Sequence, residues 1–310
     1  MESTQIEVAS EHAGERLDRF LANRLGISRA RVRHLLEVGR VGRTGPSAGA
    51  QAGGPLGLSD KSLATTEGDV FEVRGALRTE DERPTPRPDL ALVVVAQGPG
   101  WLVVDKPAGC GVHPLRPDQE DTVLNAVVAR EPAILGIGEG GLRSGVVHRL
   151  DVDTTGALAF ATTDVLWRRL RGAFAEHRVD KRYLALVVGR FDEARRVDLP
   201  LAIARHRPSH VEVSHGGRPC RQRVTPLRIF ADTTLVEVRL ETGFLHQIRA
   251  TMAHLGHPVL GDVEYGGVQE GSAVAPPRQM LHAARLRVDE IEVEVAIPSD
   301  FERVLAQLDG

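Results

Sequence analysis

Two carboxylates two residues apart, Asp151 and Asp153, stand in the stretch HRLDVDTTG (148–156). A short apolar run at 145–147 leads into it, and the small residues Thr154, Thr155 and Gly156 close it. A polar loop held between strands is where catalytic side chains tend to sit, and residues this small let a second backbone come close. A carboxylate in such a loop can act as a covalent nucleophile or as a base. The bland alternative is a turn whose aspartates satisfy neighbouring backbone through Asx hydrogen bonds. A hydrolase built on these two carboxylates and a histidine would also need a leaving-group acid, and no dedicated residue offers itself. Three more segments carry unusual residues: VVDKPAGCGVHP (103–114), DKRYLALVVG (180–189) and TGFLHQIRATMAHLGHPVLGD (242–262). Taken singly they are ambiguous. Tyr183 reads equally as the first residue of a buried strand, since aromatics favour strands, and Arg249 as an exposed helix arginine.

The elements that would position these residues are short. Apolar strands are expected at 90–96, 101–104, 146–147, 157–162, 183–188, 224–230 and 235–241, the last alternating Val236, Val238, Leu240 against Glu237, Arg239, Glu241. Helices are expected at 122–130, 164–177 and about 245–255, and a surface loop at 266–279. Because strands often follow one another without a helix between, the fold expected is α+β with a mixed, largely antiparallel sheet. Ahead of this lies a smaller unit, residues 1–75. Leu17, Phe20, Leu21 and Leu25 mark one face of a first helix. A second helix is announced by Ser28 as N-cap and closed by Gly39, with Val32, Leu35 and Leu36 inward and Arg29 and Arg33 outward. The chain loosens over 45–55 and recovers in a turn and strand at 68–73. Residues 76–89, charged and rich in proline, read as a linker, which leaves 90–310 as the larger domain.

Composition narrows the class. The chain has 310 residues, 42% of them hydrophobic, enough for two domains with their own cores. Its two cysteines, Cys110 and Cys220, fit no disulfide or metal-finger spacing. The acidic start MESTQIEVASEHAGE is no signal or transit peptide, and no apolar run is long enough to cross a bilayer. A cytoplasmic protein without a membrane partner is expected, as a monomer, because no long apolar stripe is left over. Net charge is −3, yet residues 11–43 hold eight arginines against four acids. Only three of the 39 basic residues are lysines: Lys61, Lys106 and Lys181. A GC-rich coding sequence explains the arginine bias. Two of the three lysines nevertheless fall in the segments above, where a compact ammonium does what a planar fork cannot.

HRLDVDTTG resembles the signature of the RluA-type pseudouridine synthases, His-Arg-Leu-Asp followed by two variable residues and Thr-Ser-Gly, with Thr155 in place of the serine. The other three segments match the same family in order, as does Leu281-His282-Ala283, so the resemblance spans about residues 90–300. Residues 14–73, with GERLDRFLANRLGISRARVRHLLEVGRV and the closing EGDVFEV, resemble the S4-type RNA-binding domain, departing from it at TGPSAGAQAGGPLG. The bland alternative for that unit is a helical pair with a merely solvated arginine face.

The resemblance implies an enzyme that detaches uracil from its ribose at N1, turns it and rejoins it through C5, without cofactor or metal. It places the catalytic carboxylate on Asp151, its arginine partner on Arg249 and the active-site tyrosine on Tyr183, which would stack on the flipped base and help remove the C5 proton. Arg149 would wedge into the RNA stack as the uridine leaves it. Lys106 and Lys181 are candidates for phosphate contact or for support of the site, His246 is a candidate RNA contact, and Arg16, Arg29 and Arg33 are the basic face of the first unit. The family usually carries Thr-Gly-Arg before His-Gln-Ile-Arg; here Phe244 replaces that arginine, which puts one RNA contact in question. Large-subunit ribosomal RNA is the favoured substrate and transfer RNA stays open. The alternative is an RNA-binding or ribosome-assembly factor that has kept the fold and lost catalysis. The letters Gly136-Ile-Gly-Glu-Gly-Gly141 satisfy a dinucleotide fingerprint without the strand and helix it needs. His206/His210 and His246/His254/His257 lack the completing ligand of a metal site.

Overall fold

A computed structural model describes residues 3–25, 27, 29–46, 54–74, 83–206, 208–268 and 274–309. The chain forms two compact units, Met1–Arg83 with Glu139–Gly141, and Pro84–Gly138 with Leu142–Gly310. Among the described residues no helix is long and apolar enough to cross a membrane.

The first unit runs β1 (Ser3–Glu7), α1 (Leu17–Leu25), α2 (Arg29–Glu37), β2 (Val41–Thr44), β3 (Pro55–Leu56) and β4 (Val70–Arg74). Its four strands pair antiparallel in the order β1-β4-β2-β3. The helical periodicity read from the sequence is the packing face: Leu17, Phe20 and Leu21 meet Val32, Leu35 and Leu36 over Val41, Phe71 and Val73. Gly39 ends α2 at φ +66°, a backbone state that suits glycine. The expected N-cap Ser28, most of the loop 45–55 and positions 76–82 of the expected linker lie outside the described residues.

The second unit begins with Pro84, inside the stretch read as a linker. It runs β5 (Val93–Gly98), β6 (Trp101–Lys106), α3 (Val123–Arg130), β7 (Thr155–Ala161), α4 (Asp164–Ala175), β8 (Asp180–Val188), β9 (Arg195–His206), β10 (Ser209–Val213), β11 (Arg218–Ile229), β12 (Thr233–Leu240), α5 (Gln247–His254), β13 (Leu281–Val288), β14 (Ile291–Glu294) and α6 (Ser299–Leu308). Thr85 and Arg87 are already tied to α3, since Asn125 Nδ2 donates to the Thr85 carbonyl at 2.8 Å and the Arg87 amide donates to the Asn125 carbonyl. One ten-stranded sheet forms the middle, in the order β10-β9-β11-β12-β8-β13-β7-β6-β5, with β14 beside β13. β13 and β7 pair in parallel and the other pairings are antiparallel, which is the mixed, largely antiparallel α+β sheet expected.

Strand alternation decides which helix covers which face. Tyr183 of β8, Val236 and Val238 of β12 and Val224 of β11 share a core with Leu124 and Val127 of α3 and Ile248 and Met252 of α5. On the other side Leu166, Leu170 and Ala173 of α4 pack on Ala157, Ala159 and Ala161 of β7. Phe301 and Val304 of α6 cover Leu186 and Phe230. The strand expected at 146–147 is a single bridge from Val146 to Phe160. Strands β9, β10, β13 and β14 and helix α6 exceed what periodicity announces. Pro200 sits inside β9 opposite Pro219 and disguises both strands.

Candidate active site

Asp151 lies at the start of a turn that leads into β7, and the loop around it is fixed almost atom by atom. Its carbonyl accepts from the Thr154 amide at 3.1 Å, and the Val152 carbonyl accepts from the Gly109 amide. The Asp153 carbonyl accepts from Arg278 Nη1 at 3.0 Å. Lys106 Nζ donates to the carbonyls of Val152 (2.6 Å), Thr154 (3.0 Å) and Pro107 (2.7 Å). Gln279 Nε2 donates to the Thr154 hydroxyl, and Thr155 shares a 2.8 Å hydrogen bond with His282 Nδ1. Because His282 Nε2 lies 3.0 Å from the Val295 carbonyl, it carries the ring proton and Nδ1 accepts from the hydroxyl. Threonine therefore keeps the bond that serine would make. Gly156, at φ +108°, has no room for a Cβ, which would stand 2.3 Å from the Ala283 carbonyl oxygen. The close approach expected of the small residues is this one, where β13 crosses the loop.

The carboxylate of Asp151 meets Arg249, whose Nη1 donates to Oδ2 at 3.1 Å. α5 carries Arg249 inward, and only 11% of its side chain is exposed. Asp262 grips the remaining edge of the same guanidinium, accepting from Nε at 2.6 Å and Nη2 at 2.9 Å. Burial disfavours the cation, but Asp262 and Asp151 outweigh it and raise the Arg249 pKa. The Tyr265 ring closes one face of the guanidinium at 4.9 Å. Asp262 accepts from the amides of Glu264 and Tyr265 as well, so it is itself held in place.

Tyr183 lines the same concave pocket as Arg149, Asp151, Phe244, His246 and Arg249. Burial, aided by the Asp151 charge, raises its phenol pKa, so it stays neutral in ordinary buffers. His246 begins α5 in the left-handed conformation, φ +49° and ψ 22°. Its Nδ1 lies 3.0 Å from the Tyr265 hydroxyl and its Nε2 3.9 Å from Asp151 Oδ1. Burial lowers its pKa against the pull of Asp151. Arg149 is exposed at the rim. Phe244 is half-buried and rests on the cluster of Leu201, Val211, Ala250 and Tyr265.

Lys106 requires a correction. It is fully buried and its three donors are spent on three carbonyls, so it supports the loop and no phosphate reaches it. Burial pulls its pKa to about 8, still an ammonium at neutral pH. A guanidinium cannot place three donors from one nitrogen, which accounts for lysine here. Lys181 is likewise turned inward, donating to the Thr242 carbonyl at 3.0 Å, with its pKa lowered to about 8 by burial. In the first unit Arg16, Arg29 and Arg33 are half-exposed and converge on one buried carboxylate, Asp18, at 3.2, 2.7 and 3.6 Å.

Asp262 and Tyr265 were not singled out by sequence reasoning. Asp262 closes the quoted segment that contains Arg249, and a buried arginine needs a partner, which is the signal that would have found it. The fingerprint-like glycines lead into a 3-10 turn, Gly141–Arg143. Among the described residues no three His, Cys, Asp or Glu side chains gather as a ligand set.

The family model described as RNA pseudouridylate synthase matches residues 100–254, which contain Asp151, Tyr183 and Arg249. The ribosomal large subunit pseudouridine synthase D of Zymomonas mobilis is 34% identical over 99% of this chain and 98% of its own. An uncharacterized RNA pseudouridine synthase of Chloroflexus aurantiacus is 36% identical over 99% and 94%. Human RNA pseudouridylate synthase domain containing 1 superposes with a TM-score of 0.54 at 29% identity, covering 68% of this chain and 84% of that one. Sequence, fold and relatives agree that the chain belongs to the RluA-type family of RNA pseudouridine synthases.

Proposed function

We propose that this enzyme isomerises uridines in structured large-subunit ribosomal RNA with Asp151 as its catalytic carboxylate. The observation that carries the reading is the 3.1 Å contact from Arg249 to Asp151 in a buried site, with Asp262 fixing the arginine. A carboxylate so held is aimed, as an attack on C1′ or the removal of a ribose proton requires. Either route breaks the N1–C1′ bond, frees the uracil to turn, and makes C5–C1′. The hydrogen on C5 then leaves as a proton, and N1, freed of the ribose, takes one up. Tyr183, a neutral phenol beside the carboxylate, stacks on the base and relays that C5 proton rather than standing as a ready base. Arg149, exposed at the rim, occupies the gap left in the stack by the flipped nucleotide.

The ribosomal target is supported by relatives from Zymomonas mobilis and Yersinia pestis, both named ribosomal large subunit pseudouridine synthase D. Residues 1–75 act, in this reading, as an S4-like RNA anchor. Two helices on a small sheet support it, with Arg16, Arg29 and Arg33 pinned by Asp18 but half-exposed to a phosphate. The test is to map pseudouridine in ribosomal and transfer RNA from cells with and without the gene. Sites lost from large-subunit ribosomal RNA sustain the proposal; sites lost only from transfer RNA would move the substrate.

A further inference from the structure

Five arginines stand directly opposite one another across five neighbouring strands. The register pairs Arg196 of β9 with Arg223 of β11, Arg223 with Arg239 of β12, Arg239 with Arg182 of β8, and Arg182 with Arg285 of β13. At about 4.8 Å per strand the row spans roughly 19 Å. Alternation puts it on the face opposite Tyr183, Val238 and Val224, which are buried against α5. Like charges directly opposite in a sheet repel. Arginine abundance explains their number and not their register.

Four members of the row, Arg182, Arg196, Arg223 and Arg239, line a broad groove, while Arg285 beyond it is taken by Glu292 and Glu294. Carboxylates offset the four only in part. Asp180 takes Arg239 at 2.7 Å and Arg182 at 3.3 Å, Glu237 lies 3.7 Å from Arg182, and Glu241 takes Arg196 at 2.7 Å. Arg223, and Arg221 beside it in the same groove, are exposed and have no ion pair with a carboxylate among the described residues. Leu240, at the end of β12, lines both this groove and the pocket of Asp151 and Tyr183. Leu240 is thus common to both linings, with the arginines on one face of the sheet and Tyr183 on the other.

We propose that this arginine row is a second RNA-binding surface, which takes the phosphate backbone of the substrate where it passes over the end of β12 away from the target uridine. The inference rests on RNA being the substrate and not on which RNA it is. A row of guanidiniums one strand apart suits successive phosphates, which arginine engages through its fork, and carries no base readout. An acidic protein partner would find the same charges, but the nearness of the row to the catalytic pocket, with Leu240 common to both linings, favours the molecule that enters that pocket.

The test measures poly(U) affinity across a potassium chloride series for wild type, the double variant Arg221→Gln/Arg223→Gln, and Glu237→Gln. The double variant is expected to bind several-fold more weakly, and its slope of log Kd against log salt to fall by roughly 1.4, about 0.7 for each lost contact with single-stranded RNA. Glu237→Gln removes a competing carboxylate and is expected to tighten binding. Should the double variant fail to fold, Glu237→Gln alone decides. Affinities and slopes that superimpose on wild type for both variants would overturn the inference, and an acidic partner would then be sought. Tritium release from ribosomal RNA by the same wild-type preparation reports separately on the substrate, so failure there leaves the slope comparison intact.

Discussion

Arg249 is held by Asp262 through two hydrogen bonds of 2.6 and 2.9 Å, which leaves one nitrogen, Nη1, to meet Asp151. Asp262 thus sets the position of the arginine that meets Asp151 without contacting Asp151 itself. Asp262→Asn keeps the shape, removes the charge and turns one acceptor into a donor. Turnover is expected to fall about 100-fold, the scale of a misplaced catalytic group, with RNA affinity within a few-fold. Stability is expected to fall by about 3 kcal/mol as a buried cation loses the closer of its two carboxylate partners. Single-turnover rates, RNA binding and thermal melts check all three, and an unchanged rate would remove Asp262 from the positioning of the site.

Lys106 separates support from RNA contact. Lys106→Met removes the one ammonium that ties three carbonyls together, and the expected loss is on the order of 3 kcal/mol. RNA affinity at a temperature where the variant is folded should match wild type within two-fold. A marked affinity loss with a normal melting curve would restore the phosphate role that the geometry removes.

Acid should destabilise the fold through a named histidine. His148 accepts the Ala159 amide proton on Nε2 and stacks on Phe174 at 4.7 Å. Burial first, then Lys181 and Arg171, lower its pKa to about 3. Between that value and the unfolded value near 6.5 the unfolded chain binds the proton and the native state does not. Stability therefore rises with pH across this window and is lost as pH falls through it, by about 1.4 kcal/mol per pH unit for this group. Denaturant melts from pH 4 to 6 should give His148→Gln a slope shallower than wild type by that amount. Equal slopes would show that His148 titrates alike in both states.

The first unit offers a parallel test. Arg29→Gln/Arg33→Gln should leave Asp18 held by Arg16 and reduce the salt slope of ribosomal RNA binding by about 1.4 to 1.8 if both side chains meet phosphate. An unchanged slope would mean that the three arginines serve only to neutralise a buried aspartate.

Much of the site was legible in one chain because its parts are local. HRLDVDTTG and HQIR each bring the needed residue and the turn or helix that aims it, and the structure joins Asp151 to Arg249 across 98 positions. The lysines were legible as exceptions in an arginine-rich chain, but their donors point to carbonyls, and burial is not written in a residue's type. Asp262 and Tyr265 escaped because their importance comes from what they touch. The alternation of β12 was clear, whereas β9 was hidden by Pro200 and by charges that make sense only beside β11 and β10. The arginine row was invisible for the same reason, since register across five strands has no signature along the chain.

Asp151 is the central claim, and the C5 hydrogen is the most direct witness to it. Ribosomal RNA carrying tritium at uracil C5 is incubated with wild type and with Asp151→Asn, and release to solvent is followed alongside RNA affinity. Isomerisation must expel that hydrogen, so the account predicts release by wild type and none by the variant. Affinity is expected to stay within a few-fold, because one carboxylate contributes no phosphate contact. Substantial release by Asp151→Asn would contradict the assignment of the catalytic carboxylate.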